Sequence, residues 1–267
     1  MASIIFLGTA GSSVVVSKQL RSSGGIIIQI EDLQFHIDPG SGALTKAKEY
    51  GINLHHNTAI LVSHNHLNHC NDLNAVVDAM THSGIEQRGI ILGSKSVLQH
   101  TDKSHPFLTR YHTGLVEKII PMEKKHKVGI ELVEINALPA EHTDPTAIGF
   151  KFFCPKFILS YTGDTAITPA LMEELKGSDI LILNVPYPGN KAVGLNLDTE
   201  SATKIIAHVR PRLAVVTHFG LEMLRADHFQ EAREIQRSTG IETIAARDGL
   251  MLAAENYRQH INPVKGY

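Results

Sequence analysis

Residues 60–72 read Ile-Leu-Val-Ser-His64-Asn-His66-Leu-Asn68-His69-Cys-Asn-Asp72. An apolar run ends at Val62, and three histidines follow within a few positions. Imidazole is the commonest protein ligand for borderline metals such as zinc. His64 and His66 stand two apart in an extended or turning segment, so both rings can point to one side. His69 follows where a helix starts and can face the same pocket. One histidine beside a strand is ordinary. Three at this spacing, directly after a buried strand, are hard to explain by packing and point to a metal site.

Four more segments place polar residues just after a short apolar run. Asp38-Pro39-Gly40 follows 34–36, and Glu141-His142-Thr143-Asp144 follows 132–138. Tyr161-Thr162-Gly163-Asp164-Thr165 follows 157–159, and Thr217-His218-Phe219-Gly220 follows 213–216. Polar groups collected at strand ends are the pattern of an active site at a sheet edge. Singly, His142 or His218 would be unremarkable. Beside His64, His66, His69 and Asp164 they complete a candidate ligand set.

These residues need elements to hold them. The apolar runs are short, rich in Ile and Val, and bounded by Gly, Pro, Asp or Asn, which reads as buried strands. Ile26–Ile30 and 34–37 flank Glu31-Asp32 and predict a hairpin. Thr168-Pro169 predicts a helix start and Gly177 its end; a second helix runs over 198–209 to Arg210-Pro211; a third runs from Asp227 to Gly240. Hairpins come early and strands alternate with helices later, so the chain reads as mixed α/β layers.

Composition narrows the class. The chain has 267 residues, 43% hydrophobic and 19% charged, with a net charge of -2. That excludes a disordered chain and gives no basic excess for a dedicated nucleic-acid binder. Two cysteines, Cys70 and Cys154, are too few for a disulfide scaffold. Cys70 reads as a small buried residue and Cys154 receives no role. No apolar run approaches the roughly 20 residues that cross a bilayer, so we expect a cytoplasmic protein with no membrane contact. Residues 100–127 hold six Lys/Arg, three acids and four histidines. They read as a solvated surface connection, or as a lid offering Arg110, His105 and His112 to an anion.

With these motifs assembled, the sequence resembles the metallo-β-lactamase-fold hydrolases. That family is known for His-x-His-x-Asp-His, then a distant His, an Asp and a last His. These match His64, His66, position 68, His69, His142, Asp164 and His218. Phe6-Leu7-Gly8-Thr9, Asp38-Pro39-Gly40, Gly163-Asp164-Thr165 and Thr217-His218-Phe219 are similar to its ribonuclease Z-like and PhnP-like phosphodiesterase branch. The resemblance spans nearly the whole chain. It implies one domain over 1–267, folded as a four-layer αββα sandwich with metals at one edge of the two sheets.

It also implies a division of labour. Metal one would take His64, His66 and His142; metal two would take position 68, His69 and His218; Asp164 would bridge them. Water between two divalent ions ionises near neutral pH, and the resulting hydroxide attacks phosphorus or a carbonyl carbon. Asp38 would orient a ligand histidine from behind. Zn2+ is the expected ion, at one or two per chain, with Mn2+ or Fe2+ also compatible.

Two departures matter. Position 68 is Asn where the family pattern wants Asp. Asn offers only a neutral carbonyl oxygen, so the site keeps one more positive charge and metal two should bind more weakly. Asp72, one helical turn on, is a candidate to compensate. Only residues 143–163 separate His142 from Asp164, too few for the tRNA-gripping arm of ribonuclease Z, and Leu183-Asn184-Val185-Pro186 replaces its His-Glu motif. We therefore expect a hydrolase of a small phosphodiester or cyclic phosphate, with Asn68 and Asp164 at the reacting centre and tRNA not a partner. A lactonase or thioesterase, or a catalytically impaired one-metal protein, are the alternatives. A flavodiiron-type role fits poorly, because that branch has Glu where His66 stands. A homo-oligomer is left open.

Overall fold

The central strands are near-continuous apolar runs because both of their faces are covered. In the computed structural model, which describes residues 2–102 and 105–257, the first sheet holds β1 (Ala2–Phe6), β2 (Ile26–Ile30), β3 (Leu33–Ile37), β4 (Asn57–Val62), β5 (Ile90–Ser94) and β6 (Lys118–Met122). The second holds β7 (Lys127–Ile130), β8 (Val133–Pro139), β9 (Ile148–Phe153), β10 (Ile158–Tyr161), β11 (Ile180–Asn184), β12 (Leu213–Thr217) and β13 (Thr243–Ala245). A last strand, β14 (Met251–Ala253), returns to the first sheet beside β1. The sheet orders are β14-β1-β2-β3-β4-β5-β6 and β13-β12-β11-β10-β9-β8-β7.

Successive side chains on a strand point to opposite faces. Ile4 and Phe6, Ile26 and Ile28, and Phe35 and Ile37 therefore meet Phe150, Phe152, Leu159, Ile182 and Val215 between the sheets. Ile5, Ile27 and Ile60 turn outward onto the helices Ala43–Glu49 and Leu73–Thr81 through Ala43, Ala47, Val76, Val77 and Met80. On the far side Leu181, Leu183, Ala214 and Val216 pack on Leu171, Ile205, Ile206 and Ile235 of the helices Pro169–Leu175, Thr199–Val209 and His228–Thr239. The layers run α, β, β, α, as the resemblance implied.

The predicted punctuation has direct counterparts. Thr168, Asp198 and Asp227 each accept a backbone N–H of the helix they precede. Gly240 closes the last of these helices at φ 69°. The β2–β3 hairpin turns over Glu31 and Asp32 with Ile30 opposite Leu33.

Strand direction places the site. β3, β4, β5 and β6 are parallel, and so are β10, β11, β12 and β13. β8 is antiparallel to β9, which is antiparallel to β10, so β8 runs with β10. The C-terminal ends of β3, β4, β8, β10, β11 and β12 consequently share one edge, and each is followed by a segment singled out above or, for β11, ends in Asn184. No helix among the described residues is long and apolar enough to cross a membrane.

Candidate metal centre

Two donor groups meet at Asp164. The first comprises His64, His66, His142 and Asp164, and the second His69, Asp164 and His218; within each group the ligand atoms lie within 4.8 Å of one another. His64 Nε2 is 3.0 Å from His66 Nδ1, and His142 Nε2 is 3.3 Å from the same nitrogen. Asp164 Oδ2 lies 3.1 Å from His218 Nε2, 3.3 Å from His69 Nε2, and 3.9 Å from both His64 Nε2 and His142 Nε2. One carboxylate oxygen thus faces all four rings.

Groups behind the rings decide which nitrogens point inward. His69 Nδ1 is 2.8 Å from Asp38 Oδ2, His142 Nδ1 is 2.9 Å from the Leu195 carbonyl, and His64 Nδ1 is 3.0 Å from Ser63 Oγ. A second partner of this kind fixes both tautomer and ring orientation. Asp38 is itself held by Ser63 N–H at 2.7 Å, Ser63 Oγ–H at 2.8 Å and the Tyr161 hydroxyl at 2.6 Å. Asn184 Nδ2 donates to Asp164 Oδ1 at 2.7 Å and to the Tyr161 oxygen at 3.1 Å. One outer oxygen of Asp164 is thereby occupied, and the inner one is turned to the histidines.

The supporting backbone is tightly drawn. Asp38 and His218 adopt left-handed conformations, φ 51° and 64°, which non-glycine residues rarely hold without surrounding constraint. Phe219 N–H donates to the Thr9 carbonyl at 2.7 Å and Gly11 N–H to the Phe219 carbonyl at 2.9 Å, clamping the His218 turn. A Cβ on Gly11 would strike the His218 carbonyl, and one on Gly40 would strike the Asn68 carbonyl.

The electrostatics suit a cation. Burial, with the neighbouring His69 charge, holds His64 well below the usual histidine value, and burial with His142 lowers His66. Both rings are neutral and offer lone pairs. Burial opposes charge on His69 too, but Asp164 and Asp38 outweigh it and raise its pKa to about 10. Burial also opposes ionisation of Asp164, yet His218 and His69 keep its carboxyl well below the usual carboxylate range. His69 Nε2 is buried with no hydrogen-bond partner. The neutral rings of His64 and His66, an orphaned His69 nitrogen that would release its proton to a metal, and one shared carboxylate make a donor set that fits divalent metal ions.

The sequence profile of the beta-lactamase superfamily domain matches residues 34–219. The chain belongs to the beta-lactamase superfamily. Metal-dependent hydrolases are among its relatives, and this chain is a metal-dependent hydrolase of that superfamily. It is 31% identical to an uncharacterized protein of Methanocaldococcus jannaschii, over 98% of each chain. It is 23% identical to a ribonuclease Z of Methanopyrus kandleri, covering 92% of this chain and 96% of that one. Among solved structures it resembles YhfI of Bacillus subtilis, a metallo-β-lactamase fold protein, with a TM-score of 0.78 at 17% identity, covering 94% of this chain and 98% of that one. A diphosphatase of the PhnP family gives 0.70 at 19% identity, covering 95% and 98%.

The five histidines singled out as candidate metal ligands, and Asp164, fall in the two donor groups. Asn68 stands beside the second, its Nδ2 3.4 Å from His218 Nε2. Asp72 does not reach it: its carboxylate accepts Gly42 N–H at 3.0 Å and the Asn71 side chain at 2.9 Å, so it ties two surface turns together and leaves position 68 uncompensated. Asp144 also turns away, to Thr146 N–H at 2.8 Å and the Ser96 hydroxyl.

Within 100–127 the lid reading fails for His112, which pairs with Asp78 at 3.5 Å on the outer helix layer. Arg110 is exposed on the short helix Arg110–Thr113, and the His105 ring lies 4.9 Å from that of His100. Lys103 of that segment lies outside the described residues. Cys70 is fully buried with Sγ on the His66 carbonyl, and burial pushes its thiol up. The supporting roles of Ser63, Tyr161, Asn184 and the Leu195 carbonyl escaped sequence reasoning, although Tyr161 stood in one of the strand-end segments and Asn184 in the stretch that replaces the His-Glu motif.

Proposed function

We propose that the chain hydrolyses a small phosphodiester or cyclic phosphate with divalent metal held by these two groups. His64 Nε2, His66 Nδ1, His142 Nε2 and Asp164 would hold one ion; His69 Nε2, His218 Nε2 and Asp164, with Asn68 adjoining, would hold the other. Bound there, a metal pair supplies Lewis acidity and ionises water near neutral pH. The nitrogen-rich donor set suits Zn2+ first, with Mn2+ and Fe2+ compatible.

The observation that carries the reading is the charge balance: five imidazoles and a single carboxylate. With Asn at 68, the single carboxylate of Asp164 cancels only one of the four positive charges of a metal pair, which favours an anionic substrate. The chain's own groups do the positioning. Asp38 and the Leu195 carbonyl hold two rings, and Asn184 keeps Asp164 Oδ2 turned inward. A cleft of about 610 Å³ opens beside His66, Asn68, His142 and Asp164, with Ser12, Ser13, Ser41, Asn71 and Asn196 in its walls. Hydroxyls and amides can hydrogen-bond a small ester and its alcohol.

The kinship with a ribonuclease Z does not extend the proposal to tRNA. β9 and β10 form a tight hairpin between His142 and Asp164, with Phe153 opposite Ile158, and no arm projects from it. Submicromolar, salt-sensitive tRNA binding in a gel shift would contradict this. Cys70 and Cys154 are both free thiols, which supports a reducing, cytoplasmic setting.

A second reading, a lactonase or thioesterase, has one observation in its favour: among the described residues, neither Lys nor Arg lines the cleft. Metal analysis followed by a panel of a chromogenic phosphodiester, a cyclic phosphate, a lactone and a thioester separates the two. Metal-dependent turnover of the phosphate substrates is expected. Turnover of the carbon esters alone would overturn the first reading.

A further inference from the structure

A second cluster of histidines lies at the opposite end of β4. His55 stands two positions before that strand and His64 two positions after it, so the strand alone separates them by about 20 Å. His55, His82 and Glu86 offer two nitrogens and a carboxylate oxygen within 4.8 Å of one another. From this geometry we infer that His55, His82 and Glu86 form a peripheral site for a borderline divalent transition ion of the Zn2+ class, distinct from the centre at Asp164.

His55 is prepared for the role. Its Nδ1 donates to the Met80 carbonyl at 2.8 Å, which leaves the Nε2 lone pair facing outward. Glu86 Oε2 is 3.4 Å from that nitrogen. Two ligand atoms of a tetrahedral zinc site stand about 3.3 Å apart, given bonds of about 2.0–2.1 Å. His82 Nδ1 lies 3.9 Å from Glu86 Oε1. The His55 and His82 rings stack with centroids 3.8 Å apart and planes inclined by 6°. Coordination requires His82 to tilt out of that stack, which its half-exposed position permits.

Arg88 marks where positive charge sits. Its Nη1 is 3.0 Å from His55 Nε2 and 3.9 Å from Glu86 Oε2. A guanidinium donating to a histidine lone pair beside a carboxylate occupies the place a metal ion would take. Arg88 and the ion therefore compete. Two nitrogens and one oxygen suit Zn2+, Ni2+ or Cu2+ and not Mg2+ or Ca2+, which prefer all-oxygen ligands. A bound ion would tie the entry of β4 to the end of the helix Leu73–Thr81, the two elements between which the 64–69 loop is slung.

The test is Zn2+ titration of the chelator-stripped full chain by calorimetry, comparing wild type with His82→Ala, Glu86→Gln and Arg88→Ala. Wild type should bind one equivalent more than His82→Ala or Glu86→Gln. Arg88→Ala should keep that equivalent and bind it several-fold more tightly. All four should show the same hydrolytic rate once the Asp164 centre is saturated. Mg2+ should add no corresponding equivalent. Equal zinc stoichiometry in wild type, His82→Ala and Glu86→Gln would overturn the site, as would an Arg88→Ala chain that binds this ion more weakly. Ring-proton shifts of His55 and His82 on adding Zn2+ give a readout independent of the count, and their absence would also overturn it.

Discussion

Asp38 Oδ2 lies 2.8 Å from His69 Nδ1, and that single contact decides which nitrogen of His69 faces Asp164. The carboxylate reaches this position because Asp38 turns left-handed directly after β3, beneath the adjoining end of β4. Ser63 and Tyr161 secure it with three further hydrogen bonds. His69 is thus set by a residue from a different strand, which its own neighbours in sequence do not supply.

Asp38→Asn keeps the shape and removes the charge. One amide oxygen must then serve acceptor positions that two carboxylate oxygens now fill, and the amide nitrogen faces donors. His69 loses its fixed tautomer. Metal affinity should fall about 10–100-fold, the scale of such supporting contacts, while the circular dichroism spectrum stays unchanged. A competition titration against a chelator reads it, and undiminished affinity would show that Asp38 serves the fold alone.

Much of this candidate site was legible because its donor side chains come in short sequence blocks at strand ends. His64, His66 and His69 share one loop, and His142, Asp164 and His218 each follow an apolar run. The hairpin at Glu31-Asp32 and the helix caps at Thr168, Asp198 and Asp227 were legible for the same reason: local chemistry determines them. What lay hidden depends on pairing between distant strands. Tyr161 reaches Asp38 only because the two sheets face each other, and Asn184 reaches Asp164 only because β11 lies parallel to β10. Asp72 misled because helical spacing places it near Asn68, whereas the contact it makes, with Gly42, is set by the Ala43–Glu49 helix packing alongside.

Asn184 is almost fully buried and donates to a carboxylate. Asn184→Leu keeps the volume and removes the donor. A hydrogen bond to a charged group is worth about 1.5–3 kcal/mol, so urea unfolding of the metal-free chain should register a loss of that order. Asp164, no longer tethered at Oδ1, should also hold metal less tightly. A stability loss with metal affinity intact would restrict Asn184 to the core.

His36 supplies a pH dependence separate from the donor groups. It is fully buried between the sheets and the helices, with Nε2 2.8 Å from the Gly24 carbonyl. Burial lowers its pKa from 6.5 to about 4, against the opposing pull of Gly24 and Asp38. The folded chain keeps this ring neutral while the unfolded chain protonates it below 6.5. Its stabilising contribution is complete above pH 6.5 and is lost as pH falls towards 4. The loss amounts to about 3 kcal/mol at the acid end. Metal-free wild type should therefore lose more urea resistance between pH 7 and 4.5 than metal-free His36→Gln. Equal losses would remove His36 as the source.

Asn68 carries the sharpest prediction. Its amide sits 3.4 Å from His218 Nε2, where the family pattern places a carboxylate. The second donor group consequently has two histidines and a share of Asp164, while the first has three histidines and the same share. The first should fill first, and the second should remain partly filled at limiting metal. Asn68→Asp adds one negative charge and an oxygen donor beside His218, and Asp72, committed to Gly42, does not duplicate either. Metal content of Asn68→Asp should rise towards two per chain. Its rate on the proposed phosphodiester substrate should rise by about 10–100-fold, the usual scale for a defect in a ligand shell. The two proteins must be prepared side by side with the same metal supply, because occupancy depends on free ion concentration. An Asn68→Asp chain with unchanged stoichiometry and unchanged rate would mean that position 68 touches no metal, and the second donor group would then have to work with His69, Asp164 and His218 alone.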